Sequence, residues 1–298
     1  MKILLLGKDG QVGWELQRSL APLGQVLALN SKSRGYCGDL ANLQGLIETV
    51  RSIAPDVIVN AAAYTAVDNA EHDRELAFRV NADAVEVLAR AATELRALLV
   101  HYSTDYVFPG HGTVAWREED SVGPLNIYGE SKLKGERAIQ ALGCNHLIFR
   151  TSWVYAARGK NFARTMLRLA SERETLGVIN DQHGAPTAAE LIADVTAHAV
   201  LATRRDIALV GLYHLAAGGG TTWYGYAKFV LEQAEELGIE LKVGAEQVKE
   251  LSTDAYPTPA KRPANSRLDT SKLRSAFGLT LPDWRKGVSR MLKEIQEK

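Results

Sequence analysis

The chain has 298 residues, of which 46% are hydrophobic and 23% are charged, so it can bury a sizeable core in one large domain or two modest ones. Its 35 basic and 35 acidic side chains balance, which gives no electrostatic sign of binding to nucleic acid or to an anionic membrane. The two cysteines, Cys37 and Cys144, stand alone and suggest neither a zinc site nor a disulfide framework, so a reducing compartment fits.

The start of the chain carries no recognisable targeting segment. The apolar run Ile3–Leu6 ends at Gly7 and is too short for the core of a signal peptide. No apolar stretch approaches the length of a membrane span. We therefore expect a cytoplasmic protein with no membrane partner and no nucleic-acid partner.

The first half of the chain alternates short apolar runs with longer amphipathic segments. Strands are predicted for KILLLG, QVLALN, DVIVNAAA, ALLVHYSTD and HLIFRTSWVY. Helices are predicted for QVGWELQRSLAPLG, NLQGLIETVRSIAP, residues 73–95 and the YGESK region. Near-continuous apolar strands separated by helices indicate a parallel sheet covered on both faces. The pattern predicts an α/β fold, a doubly wound parallel sheet of the Rossmann type, over residues 1–155.

The regular alternation weakens after about residue 155, where turns rich in Gly and Pro become denser, as in DQHGAPT and AYPTPAKRPANSR. Helical patterns persist at 160–172, 187–202, 223–237 and 283–296. We expect residues 156–298 to form mainly a smaller α/β substrate-binding lobe, interleaved with the first domain.

A glycine-rich turn, GKDGQVG, follows the first predicted strand and opens the first predicted helix. It places Gly7, Gly10 and Gly13 at intervals of three. Such a turn lets the backbone approach a pyrophosphate closely, and the helix N-terminus offers free N–H groups to the phosphates. Between a first strand and a first helix, the motif favours a dinucleotide site over a purely structural turn.

The end of the second predicted strand usually distinguishes NAD from NADP, because an acidic residue there holds the ribose 2′-OH and repels a 2′-phosphate. This chain has Asn30 at that position, which can hydrogen-bond a hydroxyl but lacks the repelling charge. Lys32 and Arg34 follow and suit a phosphate as well as they suit a solvated loop. The sequence favours NADPH and leaves NADH open.

Two further segments are expected near the cofactor. Asp39 and Leu40, in CGDL, lie where the chain can cover the adenine. The segment NAAAYT follows the third strand and therefore belongs to the crevice at the carboxyl ends of the strands. Its expected cofactor contacts are Ala62, Ala63, Tyr64 and Thr65.

The fourth strand and the helix after it carry groups suited to reducing a ketone. Tyr128 and Lys132 lie four positions apart, on one face of the predicted helix, and Thr104 ends the fourth strand. A tyrosine with a pKa near 10 needs help to exchange protons at neutral pH, and a nearby lysine cation favours the phenolate. The hydroxyl of Thr104 can polarise the same carbonyl oxygen. Alone, a Tyr-x-x-x-Lys pattern is common on surface helices.

The motifs GKDGQVG, NAAAYT, HYSTDYVF and YGESK together resemble the extended short-chain dehydrogenase/reductases. More narrowly, GQVGWEL, VINDQHGAPT and RTSWVY are similar to the dTDP-4-dehydrorhamnose reductase family, and the similarity spans nearly the whole chain. The resemblance implies reduction of the 4-keto group of dTDP-6-deoxy-L-lyxo-4-hexulose to dTDP-L-rhamnose by NADPH or NADH. The product is a sugar donor for cell-surface polysaccharide, including lipopolysaccharide.

The resemblance also implies roles for individual residues. Tyr128 is expected to be the catalytic acid, Lys132 to tune it, and Thr104 to polarise the substrate. Asp105 and Trp153 are expected to contact the sugar nucleotide. The implied cofactor contacts are Gly10, Gln11, Val12, Tyr102 and residues 62–65. The chain departs from the family at Asn30, where an acid is common, and at Tyr64, where a His is common.

Charged residues outside this crevice have two interpretations each. Arg262 and Arg267, in KRPANSR, suit either a diphosphate or a solvated loop. Glu190 and Asp194 lie four positions apart on one helix, where like charges repel unless something cancels them. By resemblance, these two acids and Glu15 meet at a homodimer contact and bind a structural Mg²⁺ ion.

Two rival functions remain open on the sequence alone. The first is a nucleotide-sugar epimerase or dehydratase on the same scaffold, although no Asp-Glu pair of the dehydratase type follows Thr104. The second is a catalytically silent nucleotide-binding subunit, because a fold alone does not give a function. The presence of Thr104, Tyr128 and Lys132 together favours the reductase over both.

Overall fold

The computed structural model describes residues 1–297, and its centre is a six-stranded parallel sheet. The strands of this sheet are β1 Lys2–Leu6, β2 Gln25–Leu29, β3 Val57–Asn60, β4 Leu98–Thr104, β5 His146–Thr151 and β10 Gly211–His214. Short strands outside it are β6 Val154–Tyr155, β7 Gly177–Ile179, β8 His183–Gly184, β9 Thr187–Ala188, β11 Thr221–Thr222 and β12 Lys249–Leu251.

Helices connect the strands throughout the described residues. They are α1 Gln11–Leu20, α2 Leu43–Ile53, α3 Val67–Ala70, α4 Arg74–Phe78, α5 Ala84–Leu95, α6 Ile127–Leu142, α7 Phe162–Glu172, α8 Ala189–Arg205, α9 Trp223–Glu236, α10 Ser271–Phe277 and α11 Trp284–Gln296. No helix within residues 1–297 has the length and apolarity needed to cross a membrane.

The strand order is β2-β1-β3-β4-β5-β10, and every neighbouring pair is parallel. The chain therefore leaves β1 towards β2 and then crosses back to β3 on the other side. In open α/β sheets, ligands bind outside the carboxyl ends of the strands at such a point of reversal. The predicted fold class, a doubly wound parallel sheet, is confirmed.

The two faces of the sheet bury separate cores, as the near-continuous apolar strands require. Alternate side chains of β1 divide between them, with Ile3 and Leu5 on one face and Leu4 and Leu6 on the other. Helices α1, α8 and α10 cover the first face, and α2, α5 and α6 cover the second.

The second half of the chain contributes to two different cores. Helix α8, strand β10 and helix α10 belong to the central sheet and its first face. Helices α7, α9 and α11 bury a further cluster of their own that includes Tyr226 and Trp284. The cluster of α7, α9 and α11 also provides the outer wall of the crevice, because Trp223 is the first residue of α9 and lines the crevice.

Three features of the backbone differ from the sequence-based expectations. The segment HLIFRTSWVY is two strands and not one, because Trp153 takes a left-handed conformation with φ of 48° between β5 and β6. The helix predicted over 73–95 is interrupted by a π-helical turn at Arg79–Asp83. Strand β10 carried no prediction, since its four residues follow a short 3₁₀ turn without a clear alternation.

Candidate active site

A cleft of about 790 Å³ opens at the carboxyl ends of the central strands, within the usual size range of ligand sites. It brings together most of the residues that the sequence predicted. Those in its lining are Gly7, Gly10, Gln11, Val12, Asn30, Asp39, Leu40, Ala62, Ala63, Thr65, Tyr102, Thr104, Asp105, Tyr128, Lys132 and Trp153.

Tyr64 is the predicted cofactor contact that the structure places elsewhere. Its hydroxyl lies 3.3 Å from a carboxylate oxygen of Asp73, outside the lining of the cleft. Its backbone is fixed by Asn81 in the π-helical turn, which accepts a hydrogen bond from the Tyr64 N–H at 2.9 Å and donates one to the Tyr64 carbonyl at 3.0 Å. The π-helical turn thus positions the loop at residues 62–65.

The glycine-rich turn forms a cradle that side chains would fill. A Cβ on Gly13 would lie 2.0 Å from the carbonyl oxygen of Gly7, and one on Gly7, where φ is +88°, would lie 2.7 Å from the backbone of Ala61. Gly10 immediately precedes α1 and provides no side-chain cap, so the first turn of the helix faces the cleft with its N–H groups available. This geometry fits the pyrophosphate of a dinucleotide.

Lys132 is a buried ammonium held by groups of strand β4. Its side-chain nitrogen donates to the carbonyl oxygen of Tyr102 at 2.6 Å and lies 3.3 Å from Nε2 of His101. Burial lowers the pKa of Lys132 to about 8, and the charge of Glu136 acts in the opposite direction. The lysine is therefore fixed at the floor of the cleft.

Tyr128 is half-buried and lines the cleft beside the end of β4. Burial raises the pKa of its phenol to about 12, while the Thr104 side chain lowers it and the charge of Asp105 raises it. The sequence-based expectation that Lys132 and the positively charged nicotinamide lower this pKa concerns the protein with its cofactor and stays a prediction; in the protein by itself burial dominates. The result is a phenol that keeps its proton at neutral pH.

Thr104 and Asp105 form a compact polar pair next to that phenol. The hydroxyl of Thr104 donates to Oδ1 of Asp105 at 3.1 Å and accepts from the backbone N–H of Tyr106 at 3.1 Å. Burial raises the pKa of Asp105 to about 7, with hydrogen bonds from Ser266 and Thr104 acting against it. The carboxyl group therefore changes charge near neutral pH.

Three buried polar atoms at this end of the cleft lack a hydrogen-bond partner among the described residues. They are Oγ of Ser103, Oδ2 of Asp105 and Oγ1 of Thr151. Buried polar groups without partners are rare in folded proteins and need an explanation. A ligand rich in hydroxyl and amide groups, such as a nicotinamide nucleotide beside a sugar, fits them.

Trp153 is held in a strained conformation at the outer wall. Its φ of 48° is unusual for a bulky residue, and such strain concentrates at functional sites. Its ring stacks on Trp223 with centroids 3.6 Å apart, and a Cβ on Gly184 would lie 2.5 Å from it. The indole is therefore clamped between two segments of the second half of the chain.

A second cavity, of about 540 Å³, neighbours this wall. It is lined by His183 and Ala185, which flank Gly184, and by Thr222, which precedes Trp223. Arg267 also lines it. Arg262, the other predicted diphosphate ligand, is instead paired with Asp68, with two nitrogen–oxygen distances of 3.0 and 2.9 Å.

The three acids predicted to bind magnesium are engaged with arginines. Glu15 and Asp194 pair with Arg18 at 3.4 and 2.9 Å, and Glu190 lies 3.5 Å from Arg290. Within residues 1–297, no group of three or more His, Cys, Asp or Glu residues is arranged to hold a metal ion. The structure of the single chain thus gives the predicted magnesium site no support, because the guanidinium groups already supply the positive charge.

Two contributors to the site escaped the sequence-based predictions. His101 is buried in the middle of β4 and touches Lys132, a pairing between residues 31 positions apart that no local pattern indicates. Asp9, in the glycine-rich turn, lies in the cleft beside Asn30. Its signal was present in the sequence, as the acidic residue inside GKDGQVG.

The site combines a glycine cradle before α1 with a buried lysine and a protonated tyrosine on α6, beside the end of β4. This combination defines a nicotinamide-dependent oxidoreductase of the short-chain dehydrogenase/reductase class. Comparison with known proteins narrows this class. The family model described as RmlD substrate binding domain matches residues 1–297, and the chain belongs to this family.

The relatives cover almost the whole chain. The dTDP-4-dehydrorhamnose reductase of Escherichia coli strain K12 is 59% identical over 295 residues, which are 99% of this chain and 98% of that protein. A crystal structure of a dTDP-4-dehydrorhamnose reductase from Clostridium acetobutylicum has a TM-score of 0.88 at 32% identity, covering 99% of this chain and 100% of that one. The Bacillus anthracis enzyme in complex with NADP has a TM-score of 0.87 at 34% identity, covering 98% and 99%.

Proposed function

We propose that the protein reduces the 4-keto group of dTDP-6-deoxy-L-lyxo-4-hexulose to dTDP-L-rhamnose, a donor for lipopolysaccharide and other cell-surface polysaccharide. The observation that carries the proposal is Tyr128, a half-buried phenol that is protonated at neutral pH and lies with Thr104 in the dinucleotide cleft. The names of relatives that are 59% identical support the choice of substrate.

The residues of the chain supply binding, orientation and a proton. NADPH or NADH, when bound, supplies the hydride to the carbonyl carbon. Tyr128 donates its proton to the carbonyl oxygen, and Thr104 orients and polarises that oxygen. The ammonium of Lys132, held by Tyr102 and His101, stabilises the phenolate that the transfer leaves behind. The proton and the hydride together complete the alcohol.

The rest of the substrate requires sites for a diphosphate and a base. The second cavity, with Arg267 and the hydroxyls of Thr221 and Thr222, suits this part of a sugar nucleotide. Trp153 and Trp223 line the cleft at the wall that it shares with the second cavity, which is the boundary proposed here between the sugar and the nucleotide. Arg262 serves instead to tie the chain to Asp68.

The proposal includes a homodimer in the cytoplasm. Trp14 is exposed on α1, one turn before Arg18, which pairs with Asp194 of α8, and an exposed indole there is suited to a contact between copies. Magnesium enters this proposal only at that contact, where a second copy would have to displace Arg18 from Glu15 and Asp194. Light scattering of the purified protein, with EDTA and with added Mg²⁺, tests whether the protein is a dimer and whether the dimer depends on Mg²⁺.

Turnover with the Tyr128→Phe variant tests the function. Purified protein receives dTDP-6-deoxy-L-lyxo-4-hexulose with NADPH or NADH, and loss of the reduced nicotinamide is followed. We expect turnover by the natural protein and a loss of about 10²-fold or more in kcat for Tyr128→Phe, because proton transfer is removed. Tyr36→Phe, which deletes a phenol that does not line the cleft, should retain full activity.

The same experiment separates the rival functions. Binding of the sugar nucleotide without turnover by the natural protein would support a silent subunit. An epimerase or dehydratase would carry tightly bound NAD through purification and would act without added NADPH or NADH. Equal activity of Tyr128→Phe and the natural protein would exclude Tyr128 as the proton donor.

A further inference from the structure

We infer that Asp9, oriented by Asn30, makes the cleft prefer NADH over NADPH. The inference rests on the proposed function only in taking the cleft as a nicotinamide dinucleotide site. It concerns the end of the cleft next to β2, where the adenosine ribose of a dinucleotide lies in doubly wound folds. The residues of the cleft lining at this end are Asp9, Asn30, Ser31, Gly38, Asp39 and Leu40.

Asn30 occupies the position that an acid usually takes, but its side-chain oxygen is committed to its own loop. Oδ1 of Asn30 accepts from the backbone N–H of Lys32 at 3.0 Å and from the hydroxyl of Ser33 at 3.0 Å. An amide oxygen has two lone pairs, so this acceptor has no capacity left for a ribose hydroxyl. Asn30 therefore cannot replace the missing acid by itself.

The carboxylate comes from the glycine-rich turn instead. Nδ2 of Asn30 donates to Oδ2 of Asp9, which is 21 positions earlier in the sequence. The turn is fixed against β2, because the N–H groups of Gly7 and Lys8 both donate to the carbonyl oxygen of Leu29, at 2.9 and 3.1 Å. Asp9 is thereby held at the end of β2, where it can accept from the ribose 2′-OH.

The charge at this end of the cleft opposes a 2′-phosphate. Asp9 and Asp39 both line it, and the side chains of Lys32 and Arg34 do not. The carboxylate of Asp39 is partly engaged by the N–H of Ala41 at 3.0 Å, whereas within residues 1–297 Asp9 receives a side-chain hydrogen bond from Asn30 alone. Asp9 is therefore the better acceptor for a hydroxyl, and its charge would repel a phosphate placed there.

Binding of the two dinucleotides measures this preference without any sugar nucleotide. NADH and NADPH are titrated against the whole chain by nucleotide fluorescence. We expect the natural protein to bind NADH about tenfold more tightly than NADPH, and Asp9→Asn to reduce that ratio by about tenfold through stronger NADPH binding. Glu48→Gln removes an exposed acid from α2 outside the cleft and should leave the ratio unchanged.

Two further variants separate orientation from charge. Asn30→Ala keeps the carboxylate but removes its partner, so it should weaken NADH binding more than it changes NADPH binding. The double variant Lys32→Ala with Arg34→Ala should leave NADPH affinity within about twofold of the natural value. Melting temperatures confirm that each variant is folded.

The inference is overturned if the natural protein binds NADPH as tightly as NADH or if Asp9→Asn leaves the ratio unchanged. A large loss of NADPH affinity in the Lys32→Ala, Arg34→Ala variant would also overturn it, since these cations would then reach the phosphate. Selective NADH binding without reduction of the sugar nucleotide would refute the proposed function and leave the role of Asp9 intact. Binding of neither dinucleotide would refute both.

Discussion

The side-chain nitrogen of Lys132 lies 3.3 Å from Nε2 of His101, a ring that is completely buried within β4. Burial lowers the pKa of His101 well below its usual value, and the charge of Lys132 lowers it further. A neutral imidazole can accept a hydrogen bond from the ammonium. The other ring nitrogen, Nδ1, lies 3.2 Å from Nδ2 of Asn60; since a neutral imidazole has one acceptor nitrogen, acceptance from Lys132 at Nε2 leaves the proton on Nδ1.

Removal of the acceptor on His101 should change the titration of Lys132 and not only the stability of the fold. We expect His101→Leu to lower kcat/KM by about tenfold, because the buried ammonium loses a partner. Since burial already lowers the pKa of Lys132 to about 8, the loss should lower it further. The alkaline limb of the pH–rate profile should therefore move to lower pH.

The control variants isolate the hydrogen bond. His101→Gln retains an acceptor and should keep the pH profile of the natural protein. His198→Leu removes a histidine that binds the carbonyl oxygen of Phe277, far from Lys132 in the sequence and outside the cleft. An unchanged profile in His101→Leu would show that His101 only fills space.

Asp105 should make stability depend on pH between about 4 and 7. Its pKa rises from 3.8 to about 7 on folding because the carboxyl group is buried. In this window the folded protein holds a proton that the unfolded chain has released, so stability falls as pH rises. We expect Asp105→Asn to flatten the dependence of melting temperature on pH and to raise the melting temperature at pH 7.

An exposed acid provides the comparison for this measurement. Glu119→Gln, at a solvent-exposed position, should reproduce the pH dependence of the natural protein. If Asp105→Asn showed the same slope as the natural protein between pH 4 and 7, the buried carboxyl group would not be the source of it.

The parts of the site that the sequence predicted are those that depend on the ends of elements. Gly7 and Ala62 follow apolar strands and Thr104 ends one, so a parallel sheet places all three at one edge whatever the details of packing. Tyr128 and Lys132 share a helix face because of the helical repeat. Such periodicities are local and can be read from the chain.

The parts that the sequence did not predict depend on contacts between distant segments. Tyr64 lies outside the cleft because Asp73 binds its hydroxyl, and Arg262 is unavailable because Asp68 binds its guanidinium. The conformation of Trp153 follows from packing against Trp223, which is 70 positions later in the chain. The pKa of Tyr128 follows from burial, which no spacing between Tyr and Lys reveals.

A buried ion pair joins α6, the helix that carries Tyr128 and Lys132, to the neighbouring strand. Arg150 of β5 and Glu136 of α6 approach to 2.7 Å with side chains only 5% and 1% exposed. Glu136→Gln leaves a buried guanidinium without its counter-charge, so we expect it to lower the free energy of unfolding by about 3 kcal/mol. Urea denaturation of the natural and variant proteins measures this change.

The double variant tests whether the loss comes from the unpaired charge. Glu136→Gln combined with Arg150→Met removes both charges and should restore part of the stability lost in Glu136→Gln. Arg90→Met, which removes an exposed ion pair with Glu86, should change the free energy of unfolding by less than about 1 kcal/mol. If the losses of stability in the single variants Glu136→Gln and Arg150→Met added up in the double variant, the unpaired charge would not be the cause of the loss.

Gly13 should tolerate no side chain, because its Cβ would lie 2.0 Å from the carbonyl oxygen of Gly7 and 2.7 Å from the carbonyl carbon. We expect Gly13→Ala to push α1 away from the turn and to weaken NADH binding by more than about tenfold, since the phosphates depend on that close approach. Gly123→Ala is the matched control, because its Cβ would make only an ordinary contact of 3.5 Å with Pro109. Fluorescence titration with NADH compares the two, and retention of natural affinity by Gly13→Ala would show that the glycine-rich turn is not the dinucleotide cradle.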